Sequence, residues 1–523
     1  MRSLRKIIML LVVLVAGTLL GGRVAQAQTT RVLLVYDSQN VANNGERKVA
    51  AMQRILTSLK LTVKTQAAAD YQAGTLRAYQ GVVTMINWPQ VGLENAAFLR
   101  DRSQFNGVQL HVGANLTSAE ARHLGATPVK LYHQQLILQN RQKTVQQLLP
   151  FSDTMTVLRD LPTGTRVAGY LQSQGQPKQR YPYGSVTGKF GYLPYFKTDG
   201  YSLMMATQTI AQLFGRQGHY QPLLTITKVT PYSNLALLDQ LSRYLAHQGI
   251  PFAVSTTTVG ENGHFKAFKR FAKTLRLVEN RGGVIFLKTP VAGGVTAKSG
   301  QTLNQLMDSY VIQLAQNQVY PVGISTSIFW NQDRLYRQYG LKRTNQILWL
   351  PNPAELNYAA QDNQGARFDH NLYGVAASSF ATVQSGPALG KLGLDFALPT
   401  ALTFTMPNSS RSLANFKRRV QQLNYEWADP AQQMAATHLT GGSTTVAYRH
   451  GNYFLNGMAT TVTNQTIETA KLDAIKPAEN WMNRFFSIQG NFLLIFFAVT
   501  VVIFAAFILL GRRIYLNKFK RHK

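Results

Sequence analysis

The stretch TITKVTPYSNLALLDQLSRYLAHQGIPFAVSTTTV, residues 225–259, decides how the larger part of this chain folds. It opens as a strand, passes a Pro-containing turn, and continues as a helix with Leu235, Leu238, Leu241 and Leu245 on one face. After Gly249 a second apolar strand follows. A strand, a 3.6-residue period and a second strand in quick succession describe a β/α/β unit whose two strands lie parallel.

Upstream the same pattern recurs. RVLLVYD (residues 31–37) is a strand, and a polar turn with Asn43, Asn44 and Gly45 leads into a helix over about residues 46–59. Val49, Met52, Ile55, Leu56 and Leu59 share one face of that helix, and Leu61 begins the next strand. GVVTMINWP (81–89) and VQLHVGAN (108–115) add two more strands, which predicts a parallel sheet with helices on its faces. Ligands of such sheets bind at the carboxyl ends of the strands, where this chain offers Asp37, Ser38, Asn87 and Trp88. There is no glycine-rich phosphate loop. From about residue 129 to 197 the period becomes two, as in TRVAGYLQ and GKFGYLPYF, which predicts a β-rich insertion before a helix over 201–214. Tyr181, Tyr183, Tyr192 and Tyr195 crowd that insertion, where they could stack on sugar rings or pack the faces of a hairpin. The arrangement over residues 28–218 resembles a flavodoxin-like or class I glutamine-amidotransferase-like domain. With no Cys in the chain, amidotransferase chemistry is excluded.

The second region, residues 219–440, resembles the polysaccharide-deacetylase-like (NodB-type) barrels, in the branch of exported bacterial proteins that open with a strand, a pair of Asp, Val and then Pro-Tyr-Ser. The likeness continues in NRGGVIFLKTPVAGG (280–294), where the family has Gly-Gly, a strand and a His-x-x-x-His-type ending, and in LWLPNP (348–353) and ALTFTMP (401–407). The resemblance implies a divalent metal held by one Asp and two His, which activates water for attack on an acetyl carbonyl, with a second Asp as base and a late His as acid. At the matching positions this chain has Thr227 and Lys228, then Lys288 and Ala292, then Met406. None of these suits a hard divalent ion, and two ammonium groups repel one. A barrel that has lost the family's catalysis is therefore expected, with no catalytic residue, no metal and no cofactor. Lys228 and Lys288 become candidates for binding an anionic sugar or phosphate. The alternative is an active glycan deacetylase or hydrolase with a rearranged metal site, for which Glu261, Asp369, His370 and Asp395 are the first candidates.

The termini set the expected location. Arg2, Arg5 and Lys6 precede an apolar stretch of fourteen residues and an Ala25-Gln26-Ala27 cleavage pattern, which predicts a signal peptide over 1–27. Near the other end an uncharged run of nineteen residues, 492–510, is followed by Gly511 and RRIYLNKFKRHK, with six Lys or Arg and no acid. A transmembrane helix over 491–511 is expected, with a basic cytoplasmic tail over 512–523 and the rest of the chain outside the cell. TTVAYRHGNYFLNGMATTVTN and the polar segment after it predict an edge hairpin and stalk over 441–490. The formal charge is +31, of which the signal segment holds four and the tail six, leaving +21 on the exported part. Such a surface attracts polyanions, and outside a Gram-positive-type cell wall these are teichoic acids, anionic lipids or acidic glycans, with nucleic acid badly placed. The expectation is a non-enzymatic, membrane-anchored extracellular protein assisting the biosynthesis, export or retention of a cell-surface exopolysaccharide. Its expected partners are an acidic glycan and a membrane glycosyltransferase or polysaccharide synthase.

Overall fold

Strand β1 (Arg31–Tyr36) is buried from Val32 to Val35, and α1 (Gly45–Ser58) returns the chain to β2 (Thr62–Ala67), which pairs parallel to β1. β3 (Gly81–Ile86), buried along its whole length, pairs on the other side of β1. α2 (Ala96–Ser103) then leads to β4 (Val108–Gly113), parallel to β3. Continuous apolar runs rather than alternation are what strands covered on both faces require. The computed structural model describes residues 30–90, 93–261, 263–291, 299–385, 396–423, 425–434, 436–462 and 481–520. The expected signal peptide and residues 463–480 of the expected stalk lie outside these.

The period-two segment forms strands, most of which join the same sheet. A short helix, α3 (Ser118–His123), precedes β5 (Thr127–Gln134), which pairs with β8 (Ser152–Arg159) as a two-stranded ribbon. β6 (Leu136–Gln139), β7 (Val145–Leu148), β9 (Arg166–Ser173), β10 (Gln176–Thr187) and β11 (Phe190–Leu193) instead extend the parallel sheet, with β11 lying parallel to β4. The outcome is one sheet of ten strands among the described residues; with β18 (Gln384–Ser385), which comes from much later in the chain, the order is β18-β7-β6-β9-β10-β11-β4-β3-β1-β2. α4 (Gly200–Leu213) packs on the antiparallel half.

The unit 225–259 forms β12 (Leu223–Val229), α5 (Leu235–His247) and β13 (Phe252–Thr256). Leu238, Leu241 and Leu245 are fully buried, each contributing about 1.5–3 kcal/mol. α6 (Lys266–Asn280), β14 (Gly283–Lys288), α7 (Ser299–Gln316), β15 (Gly323–Ser327), β16 (Gln346–Leu350), β17 (His370–Ala376) and β19 (Thr400–Thr405) follow. β19 pairs with both β17 and β12, so seven parallel strands close into a barrel. α8 (Ser410–Leu423) comes next, and then an antiparallel sheet of β20 (Thr437–Gly441), β21 (Thr444–Arg449), β22 (Asn452–Leu455) and β23 (Met458–Thr460).

Residues 1–470 make one compact unit, so sheet and barrel are lobes of a single body. The connection 351–369 between β16 and β17 has no helix, and α1 of the first lobe lies against β17 there. α1 is consequently buried on two sides, with Arg54 only 4% exposed. Barrel loops also pair with both edges of the sheet. Thr65 N donates to Asn363 O at 2.9 Å beside β2, while β18 (Gln384–Ser385) pairs with β7.

The second unit, residues 471–523, contains the helix Trp481–Lys520. Its segment Leu493–Ile514, 22 residues with a mean hydropathy of 3.2, is long and apolar enough to cross a membrane.

Candidate functional site

The carboxyl ends of the barrel strands collect the residues singled out in the sequence. β12 breaks register with β13 between Ile226 and Val229, and within that bulge Lys228 takes φ +61°, a left-handed conformation that a side chain with a Cβ adopts at a cost of about 1–2 kcal/mol. The bulge turns Lys228 out to solvent, whereas Thr227 is half-buried and donates through Oγ1 to Phe404 O at 3.1 Å. Met406 N donates to Thr227 O at 2.9 Å, which seats the buried Met406 beside Thr227 where β19 meets β12.

Lys288 ends β14, with β13 between it and the bulge, and is half-buried. Burial pushes its ammonium below the ordinary lysine value, and the charge of Lys228 adds to that, so the two cations sense one another across the mouth. Hydroxyls pair nearby: Thr289 Oγ1 with Thr326 Oγ1 at 3.0 Å, and Ser255 Oγ with Ser325 Oγ at 2.7 Å. Tyr232, in the turn after β12, is 91% exposed. Thr227, Lys228, Lys288 and Met406 thus share one end of the barrel, and Ala292 lies outside the described residues. Such a mouth offers cationic and hydroxyl donors, which suit an anion and not a hard metal ion.

Of the alternative metal ligands, Asp369 and His370 lie together while Glu261 is apart from them. His370 opens β17 at the amino ends of the strands, where it lines a cavity of about 430 Å³ with Asp369, Lys60, Arg216 and Tyr220. Burial and Lys60 lower the His370 imidazole, although Asp369 opposes them. Glu261 is exposed in the loop after β13, at the other end of the barrel, and Asp395 is outside the described residues. Among the described residues no three of His, Cys, Asp and Glu are placed to share a metal ion.

In the first lobe the strand-end residues do converge, but on one another. The Asp37 carboxylate accepts backbone N–H groups of Ser38 at 2.7 Å, Asn87 at 2.7 Å and Trp88 at 2.8 Å, and Asn87 Nδ2 donates to Ser38 O at 2.8 Å. Burial raises the Asp37 carboxyl against these bonds, so the residue braces the ends of β1 and β3. Three of the four tyrosines of the β-rich segment are packed and not open to a sugar ring. Tyr181, Tyr183 and Tyr192 are at most 5% exposed, and Tyr183 donates to Tyr195 O at 2.5 Å.

Sequence reasoning missed a cleft between the lobes, built by α1 and the loops after β15, β16 and β17. One cavity of about 510 Å³ is lined there by Glu46, Arg47, Arg54, Asp199 and Asn352, and a second of about 230 Å³ shares Glu46, Ala50 and Asn352 with it. Arg54 lies on that amphipathic helix outside its apolar positions, and no local signal could have marked the second surface that buries it.

No protein-family model and no curated protein matches the chain. Among solved structures, a ThuA-like protein from Parabacteroides merdae ATCC 43184 is similar over 37% of this chain and 94% of its own, at 11% identity and a TM-score of 0.25. A likeness of that size carries no argument about function.

Proposed function

We propose that this chain is a membrane-anchored, non-enzymatic surface protein whose barrel binds an anionic cell-surface glycan at the carboxyl ends of its strands. In this reading the barrel is a degenerate relative of the polysaccharide-deacetylase-like proteins, and the ectodomain assists assembly, export or retention of an exopolysaccharide beside its synthase. One observation supports it above the others. Where deacetylase chemistry would need carboxylates and imidazoles around a cation, Lys228 and Lys288 share the mouth, with Thr227 and the buried Met406 beside them. The helix Leu493–Ile514, long and apolar enough to cross a membrane, is the anchor in this reading. Further support comes from the formal charge of +21 on the expected exported part, which raises the local concentration of any polyanion.

Binding of detergent-solubilised full-length protein to polygalacturonate and to teichoic acid tests the reading. Lys228→Ala with Lys288→Ala should weaken at least one of these at least about tenfold at ~0.15 M salt, where general surface charge is screened beyond ~8 Å. Equal binding by the double variant would reject the site. Stoichiometric metal in the purified protein together with acetate release from an acetylated glycan would favour the hydrolase alternative.

A further inference from the structure

We propose that the cleft between the lobes is a second ligand site, and that it takes a neutral, hydroxyl-rich sugar chain. It shares with the preceding reading only the expectation of a glycan. The two adjoining cavities, about 510 and 230 Å³, fall within the range of built ligand sites once joined. Their charges oppose one another, Glu46 and Asp199 against Arg47 and Arg54, so neither sign of ligand is favoured.

The smaller cavity is instead dense in side-chain amides from both lobes: Gln39 and Gln53 from one, Asn352, Gln361 and Asn363 from the other. Internal bonds orient several of them. Gln53 Nε2 donates to Thr65 Oγ1 at 3.0 Å, Asn352 Oδ1 accepts from Phe329 N at 3.0 Å, and Gln361 Nε2 donates to Asn363 Oδ1 at 2.8 Å. Those bonds leave Gln53 Oε1 and the Asn352 and Asn363 NH₂ groups as an acceptor and donors toward the cavity. Mixed, fixed amide donors and acceptors match vicinal hydroxyls, which both give and take a hydrogen bond.

Arg54 supplies an independent sign of a missing partner. Its Nη2 donates to the Tyr373 hydroxyl at 2.8 Å and its guanidinium lies 4.3 Å from that ring's centre. The residue is 4% exposed and lines the larger cavity, yet its Nε and Nη1 have no hydrogen-bond partner among the described residues. Buried donors are nearly always satisfied, and a hydroxyl or acetamido oxygen of a bound sugar, or water where none is bound, would satisfy these.

The test is calorimetric titration of detergent-solubilised full-length protein with maltohexaose, cellohexaose and N-acetylchitohexaose. Saturable binding of at least one is expected. It should weaken at least about tenfold in Gln39→Ala with Asn352→Ala, and in Ala354→Trp, which fills the larger cavity from an exposed position. The same binding should survive Lys228→Ala with Lys288→Ala. If no hexasaccharide binds, or if variants with an unchanged melting temperature bind it as the parent does, the cleft is not a glycan site. Polygalacturonate binding measured on the same variants separates the two proposals: loss only with the lysine pair upholds the mouth alone, and loss of hexasaccharide only with the cleft variants upholds the cleft alone.

Discussion

Glu279 shows how far one side chain can depart from its ordinary behaviour here. It is 6% exposed, accepts the backbone N–H of Tyr320 at 2.8 Å, and burial pushes its carboxyl up to about 8 against the pull of that bond and of Arg276. The folded state therefore keeps a proton that the unfolded chain releases near its ordinary value of 4.5. Stability should fall as pH rises from about 4.5 through about 8 and then level off. Glu279→Gln should flatten that slope and raise stability at pH 8.5 by roughly 2–4 kcal/mol, as checked by denaturant titration of wild type and variant across the range. Legibility at this scale was uneven. Lys228 and Lys288 are singled out by the motif resemblance, and the structure places both near the carboxyl ends of their strands. Arg54, Asn352 and Glu279 could not be singled out, since each owes its burial or cavity to a segment remote in sequence.

At the level of elements, the periodicities in 225–259 and in 31–63 correspond to β12, α5, β13, β1 and α1, because which face an element buries is written in its own spacing. The antiparallel strands β6, β7 and β9–β11 were visible as strands, but their joining of the parallel sheet was not. Edge pairing uses backbone groups that every residue carries, so side-chain pattern does not specify the neighbour. The β20–β23 sheet is tied to the barrel by a different device. Asp308 Oδ1 on α7 accepts Arg343 Nη1 at 2.7 Å and Gly442 N at 2.9 Å, and Arg343 also donates to Thr440 O at 3.0 Å. Asp308 and Arg343 side chains are 12% and 8% exposed, so Asp308→Ala strands a buried guanidinium. That variant should lose about 3–5 kcal/mol and show faster amide exchange over residues 437–460 than over β12–β16, measured by hydrogen–deuterium exchange.

For the molecule as a whole, the two lobes complete one another. α1 covers β17 where the barrel has no helix of its own, and the loops at 363–365 and 384–385 occupy both edges of the ten-stranded sheet. Residues 219–462 expressed alone should therefore expose an apolar face at β17 and fail to give a soluble monomer with a cooperative melt, whereas residues 28–462 should give one. A sharp melt from the shorter chain would show that the barrel needs no partner lobe. Read alone, the chain specifies its strands and helices and the spanning-length apolar helix, because each is a matter of local period or residue identity. The joining of a β-rich segment to a parallel sheet, the double burial of α1, the meeting of Lys228 and Lys288 at one mouth and the cleft around Arg54 arise only when segments tens to hundreds of residues apart meet. Tertiary structure decides these, since the groups that make such contacts carry no mark in their own neighbourhood of what they will touch.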